Sequence, residues 1–327
     1  MALPVRPGMT VPLPGPLHSH REKLAELADL GYTDIWSAES DGADGFTPLA
    51  MAAAWEPRLR LGTAIIPAYT RSPALFAQSV ASMADAAPGR FAIGIGSSSN
   101  VIVERWNGVP FEEPYKKVRD VVRFLNDALE GEKIKQAYDT FEVNGFRLGV
   151  RPEQKPKILV AALREGMLRL AGRESDGTII NWLAPDDVPT VAGIVNEAAG
   201  GEEREIVCRI FCCPSENTEA VRGAAKFAIA AYLNVPVYAA FHEWLGRGDQ
   251  LGGMWEAWKA GDRKAALAEI PDEVVDDLIV HGSPAECRAR IQAYFDNGVT
   301  TSSLAIMPLD PELDHWEAVR ALSPSAA

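Results

Sequence analysis

Short apolar runs recur along the chain, and each is followed by a longer segment whose apolar positions repeat at helical spacing. The runs fall at residues 9–13, 33–36, 59–65, 91–95, 157–160, 178–180, 206–212 and 301–306. Helices are expected over 20–30, from Thr47-Pro48, from Ser72-Pro73 to Pro88-Gly89, over 114–129 and 165–173, after Pro185, over 218–230, from Ser283 to Asn297-Gly298 and over 314–322. Their punctuation supports the assignment. Ser19 with Glu22 reads as a capping box and Gly31 as a C-terminal cap. Proline follows Thr47, Ser72 and Ser283, a residue that tolerates the first turn because its missing N–H would be unpaired there anyway. Two stretches break the alternation: 131–150, which reads as a hairpin, and a Trp-rich segment over 231–280. Eight strands each followed by a helix predict parallel pairing with right-handed crossovers, and the count predicts closure. The expected fold is therefore α/β, a (β/α)₈ TIM barrel over residues 1–327 as one domain, with insertions after strands 4 and 7. An open, doubly wound sheet is the architectural alternative.

Composition narrows the function classes. Hydrophobic residues form 47% of the 327, enough for a large core, and the formal net charge is −13. Such a field repels nucleic acid and anionic membrane surfaces. The four cysteines, Cys208, Cys212, Cys213 and Cys287, form no Cys-x-x-Cys pair and read as buried free thiols. Residues 1–10 lack the apolar centre of a signal peptide, and no run reaches the length of a membrane span. A cytoplasmic enzyme of a small-molecule substrate, with neither nucleic acid nor membrane as partner, is the expectation.

In a barrel of this kind chemistry gathers where strands end at their C-termini. That rule selects His18 and His20, then Glu39, Ser40 and Asp41, then Tyr69 and Arg71. Further along it selects Gly96, Ser97, Ser98, Ser99 and Asn100, then Arg164, Glu165 and Gly166, and finally Asn181 and Trp182. The His18-Ser19-His20 pair resembles a metal-binding signature, but a catalytic zinc needs three protein ligands. Strands five and six end in Val160-Ala161-Ala162 and Ile180-Asn181 without histidine, so no metal site is expected. Glu39 is placed to accept a hydrogen bond from a ligand or to relay a proton. The Gly94-Ile95-Gly96-Ser97-Ser98 loop brings backbone donors close to a ligand, and Arg164-Glu165-Gly166 opens a helix whose N-terminus favours phosphate. Together these loops suggest a cofactor that carries phosphate.

At these residues the sequence resembles the bacterial-luciferase-like superfamily, and within it the branch that uses the deazaflavin coenzyme F420. The likeness is carried by Leu30-Gly31-Tyr32-Thr33-Asp34-Ile35-Trp36, by Leu61-Gly62-Thr63-Ala64-Ile65-Ile66-Pro67 with Tyr69-Thr70-Arg71-Ser72-Pro73, and by Pro88-Gly89-Arg90-Phe91 with Gly94-Ile95-Gly96. Ala171-Gly172 with Ser175-Asp176-Gly177, Gly282-Ser283-Pro284 and Gly298-Val299 continue it towards the C-terminus. The resemblance implies a ring in the barrel mouth, supported by a non-proline cis peptide at Ala64–Ile65, with phosphate held by Gly96, Ser97 and Ser98 and by Leu163, Arg164, Glu165 and Gly166. Glu39 would contact the ring, and Ser40, Trp106, Asn181 and Trp182 would line the substrate pocket. It also implies a homodimer.

Two positions depart from the branch. Where alcohol and sugar-phosphate dehydrogenases carry an acid followed by histidine, this chain has Glu39-Ser40, and Ser99 stands where the sugar-phosphate enzymes have glutamate. Serine is a poor base without an activating partner. The expected activity is hydride transfer between the deazaflavin and a small organic substrate, with a reductase, or an oxidoreductase that uses a different proton donor, favoured over such a dehydrogenase. An FMN-dependent monooxygenase on the same fold is the alternative, and a non-catalytic flavin-binding barrel is the alternative from another class.

Overall fold

The computed structural model describes residues 3–326. Met1, Ala2 and Ala327, which the single-domain expectation also includes, lie outside the described residues. Eight parallel strands close into a ring: β1 (Gly8–Val11), β2 (Asp34–Ser37), β3 (Arg60–Thr63), β4 (Phe91–Gly96), β5 (Lys157–Ala161), β6 (Gly177–Asn181), β7 (Glu205–Cys213) and β8 (Thr301–Ile306). Each pairs with the next in sequence, and β8 pairs with both β7 and β1, completing the barrel. The open-sheet alternative is thereby excluded. β4 is buried at all of its positions, as expected of a strand covered by helices outside and side chains within.

Side chains of alternate residues point into the barrel. Trp36, Ala92, Leu159, Ile179 and Val207 form a separate interior cluster. Trp36 fills most of the middle, so its neighbour on β3 must be glycine: a Cβ on Gly62 would come within 2.2 Å of the indole. Below this layer, at the N-terminal ends of the strands, the interior is ionic. Arg60 donates to both oxygens of Glu205, at 2.6 and 3.0 Å, while Lys157 and Thr301 donate to the same carboxylate at 2.8 and 3.0 Å. Arg6 donates to Asp34 at 2.8 Å. These groups plug the end of the barrel away from the mouth.

The helices are α1 (Arg21–Asp29), α2 (Thr47–Trp55), α3 (Pro73–Ala86), α4 (Pro114–Leu129), α5 (Glu165–Glu174), α6 (Val188–Ala198), α7 (Thr218–Leu233), α8 (Pro236–Trp244), α9 (Gly248–Lys259), α10 (Arg263–Ala268), α11 (Asp272–Leu278), α12 (Pro284–Asp296) and α13 (His315–Ala321). The 131–150 insertion is the antiparallel hairpin Ile134–Ala137 with Glu142–Phe146, closed beneath Phe124 of α4 by Tyr138, Phe141 and Phe146. The second insertion is mostly helical. α7 to α11 share an apolar core with Trp182 and Phe211. It ends in a strand not anticipated from sequence, Ile279–His281, which extends the sheet along the upper half of β7.

Three local expectations are corrected. Ser19 does not cap α1: it ends a short 3₁₀ turn and donates to Pro16, while His20 occupies the cap position without a side-chain bond. The apolar run after Leu59 does not stay in one strand. β3 stops at Thr63, the Ala64–Ile65 peptide is cis, and Ile66–Pro67 resumes pairing with the end of β4. The third is the strand at Ile279–His281 just described. Among the described residues no single helix is long and apolar enough to cross a membrane. α7 and α8 reach that composition only as a pair bent by 104°. The four cysteines are free and buried.

Candidate active site

The break after β3 organises the mouth. The Thr63 hydroxyl bridges to β4, donating to the Gly94 carbonyl at 3.0 Å and accepting from the Gly94 N–H at 2.8 Å. A Cβ on Gly94 would lie 2.0 Å from the Thr63 carbonyl oxygen, so only glycine permits this approach. Beyond it the chain turns through the cis peptide, which agrees with what the resemblance implies at Ala64–Ile65. The Ile65 carbonyl accepts from the Glu39 N–H at 3.1 Å, which fixes the loop after β2 against the bulge.

Glu39 sits where these loops meet. Its carboxylate accepts from the Arg71 guanidinium at 2.7 Å, the Thr70 hydroxyl at 3.1 Å and the Gly45 N–H at 3.1 Å. Both side chains of the ion pair are 16% exposed. Arg71 also lies 4.8 Å from the centroid of the Phe46 ring. The carboxylate therefore ties the loop after β2 to the loop after β3, and most of its acceptor capacity is committed to protein donors. Ser40 beside it is exposed and donates to Asp41.

The floor of the mouth on this side is apolar. Ala64 and Ile65 of the bulge, Gly96 at the end of β4 and Ala161 at the end of β5 are neighbours, and a Cβ on Gly96 would touch both Ile65 and Ala161 at about 3 Å. Ser97 and Ser98 follow, half-buried, with Ser98 in the left-handed region at φ 62°. Ser99 is spent on the backbone: its hydroxyl accepts from the Ile102 N–H and so caps the π-helical turn Val101–Trp106. Next to this loop, α5 begins at Glu165. No side chain caps it, and Arg164, Glu165 and Gly166 are exposed while Leu163 is half-buried. The contrast is α12, whose first turn is closed by a capping box of Ser283 and Glu286. The cap residue of α5 makes no side-chain hydrogen bond, as at α2, α3, α4 and α6, and a helix N-terminus of this kind favours an anion.

The wall residues expected from sequence separate. Asn181 stands half-buried at the end of β6 and its amide donates to the Tyr238 hydroxyl at 3.2 Å. Trp182 is 1% exposed, at φ 54°, and stacks against Phe211 with ring centroids 4.1 Å apart. It supports the mouth from behind. Trp106 is 54% exposed on the turn after β4, away from this cluster. The two histidines after β1 do not converge on anything: the His20 ring contacts the Gly15 carbonyl at 3.2 Å and His18 is exposed. Two residues escaped the sequence reasoning. Thr70 entered only through its contact with Glu39. Arg209 lies inside β7, and its signal was present, since it is the one charge in the apolar run 206–213.

Comparison with known proteins agrees with this architecture. The luciferase-like monooxygenase family profile matches residues 1–301. A 5,10-methylenetetrahydromethanopterin reductase of Archaeoglobus fulgidus is 27% identical over 301 residues, covering 89% of each chain. A Mycobacterium tuberculosis protein with the provisional name coenzyme F420-dependent oxidoreductase is 25% identical over 315 residues, 87% of this chain and 90% of the relative. The solved structure of a coenzyme F420-dependent tetrahydromethanopterin reductase from Methanopyrus kandleri superposes with a TM-score of 0.80 at 20% identity, over 98% of both chains. With a closed eight-stranded barrel and a family profile that matches residues 1–301, the chain belongs to the luciferase-like monooxygenase family.

Proposed function

We propose that the protein is a coenzyme F420-dependent oxidoreductase that passes a hydride between the deazaflavin and a small organic substrate, working as a reductase. The observation that carries the reading is the pairing of an apolar floor at Ala64, Ile65, Gly96 and Ala161 with the uncapped N-terminus of α5. A planar ring needs the first and a phosphate-bearing tail needs the second. The curated relatives match over most of their own length, so the whole barrel is shared rather than a fragment of it.

In this reading the backbone of Gly96, Ser97 and Ser98 and that of Leu163, Arg164, Glu165 and Gly166 hold the phosphate and its chain. The bulge at Ala64–Ile65 supports the ring. Glu39 is a positioning residue that holds the loops after β2 and β3 in register through Arg71, Thr70 and Gly45. The coenzyme, when bound, supplies the hydride chemistry, and the barrel orients it and keeps water from the reacting face. Ser40 is exposed and bonded to Asp41, and Ser99 is used as a cap. Neither position carries the histidine base that the alcohol and sugar-phosphate dehydrogenases of this branch place after strand two, which favours a reductase over them. The protein works as a homodimer in this reading.

Equilibrium titration of the purified protein with F420 and with FMN, followed by absorbance and fluorescence, tests the assignment. F420 is expected to bind in the micromolar range and FMN at least about tenfold more weakly. Tight FMN binding without F420 binding makes the protein a flavin monooxygenase instead. A ring retained without turnover against any electron acceptor makes it a non-catalytic binding barrel.

A further inference from the structure

β7 lies directly across the eight-stranded ring from β3, so its inward residues face the bulge at Ala64–Ile65. Their sequence is Glu205, Val207, Arg209. Glu205 belongs to the ionic plug and Val207 to the Trp36 layer, so Arg209 stands one layer higher, level with Asn181 on β6 and Ser303 on β8. It is half-buried, its Nε is buried without a hydrogen-bond partner, and its guanidinium makes no ion pair among the described residues. Its register neighbours are already engaged, Asn181 with Tyr238 and the Ser303 hydroxyl with that of Thr10 at 3.0 Å, and the polar groups that act on the cation are the Tyr232 and Tyr238 hydroxyls. What surrounds the cation is aromatic, with Phe211 centred 5.3 Å from the guanidinium carbon and stacked in turn on Trp182. Burial accordingly lowers the Arg209 pKa. Elsewhere in the barrel interior, cations at the opposite end all have carboxylate partners.

An unpaired cation held in an apolar surround is costly and persists where a ligand completes it. We propose that Arg209 is the substrate-recognition residue of the mouth, taking a carboxylate group on the substrate. A single guanidinium presents a planar fork that matches the two oxygens of a carboxylate, whereas a phosphate dianion would call for a second cation here. The substrate would thus approach from the β7 side, opposite the apolar floor. The inference rests on the mouth being the active site, but not on which ring binds there.

The test uses benzoate and its neutral counterpart benzamide as probes, with tryptophan fluorescence as the readout, because Trp182 stacks on Phe211. Wild-type protein is expected to bind benzoate about tenfold to a hundredfold more tightly than benzamide. That preference should vanish in Arg209→Met and survive in part in Arg209→Lys. Removing an unpartnered cation should leave the Tm of Arg209→Met unchanged or raise it by a few degrees. Equal affinity for both probes, binding of neither, or benzoate affinity unchanged in Arg209→Met overturns the proposal. A lower Tm or misfolding of Arg209→Met also overturns it, since the guanidinium would then be structural. F420 titration of the same proteins separates the two readings. F420 binding without a benzoate preference leaves the cofactor assignment standing alone, and the converse leaves the anion site alone.

Discussion

At the scale of single residues, the barrel interior is set by contacts that allow one residue type. Gly62 faces Trp36 so closely that Gly62→Ala must push the indole out of the middle layer. Overpacking of this kind costs about 1–3 kcal/mol. A corresponding drop in the urea midpoint is expected, and an unchanged midpoint would show that the indole has room to move. Glu39 carries the other dense set of contacts. Glu39→Gln removes the charge from a half-buried pair with Arg71 while keeping the shape. The cofactor dissociation constant is expected to rise by about tenfold as the two loops loosen. Identical affinity and turnover in the variant would remove Glu39 from the site. The sequence marked Glu39 by its position after a buried strand. It could not mark Arg71 or Thr70 as its partners, because the cis turn that brings them round is invisible in residue types.

At the scale of elements, α12 and α5 differ in how their first turns are closed. α12 is closed by Ser283 and Glu286, so Ser283→Ala should cost about 1 kcal/mol of stability. α5 is open. Arg164→Asp would supply the missing cap and an unfavourable charge for a phosphate. Stability should rise slightly and F420 affinity fall, and parallel gains in both would contradict the placement of the phosphate. The insertion after β7 carries a pH sensitivity. His242 on α8 is fully buried beside Arg247, and burial lowers its pKa to about 3. A histidine kept neutral by the fold contributes stability that is present above its unfolded value near 6.5 and is lost as pH falls towards 3. His242→Phe should flatten that upper part of the acid-unfolding curve, and an unchanged curve would place the sensitivity elsewhere.

Strand and helix order was legible because apolar runs and helical periodicity alternate over the whole chain, and the hairpin over 131–150 showed itself by breaking that rhythm. The strand Ile279–His281 was not, since its residues read as the tail of a helical insertion and become a strand only against β7. The cap of α1 failed because Ser19 is drawn into the preceding 3₁₀ turn, leaving His20 at the cap position.

At the scale of the molecule, the barrel divides its charges between two ends. Arg60, Lys157, Glu205 and Asp34 begin four different strands, so only closure of the ring brings them together. Burial pushes the Glu205 carboxyl up, but Arg60 and Lys157 outweigh it and hold it down at about 2, while burial raises Asp34. A carboxylate whose folded pKa is depressed contributes stability that is full above its unfolded value and disappears as pH falls through the folded one. The loss therefore runs from about pH 4.5 to pH 2 and amounts to about 3 kcal/mol. Glu205→Gln should abolish this lower leg of the acid curve while weakening the protein at neutral pH. The other end has Arg209 without such a partner, across the ring from the bulge at Ala64–Ile65. Stability is concentrated at the bottom of the barrel and recognition at the mouth.

The central claim is that a deazaflavin occupies that mouth, and a crystal structure of the protein with F420 tests it most directly. The account predicts the ring against the Ala64–Ile65 bulge with its phosphate at the N-terminus of α5. A ring bound elsewhere, or a phosphate away from Ser97, Ser98 and Gly166, would contradict it.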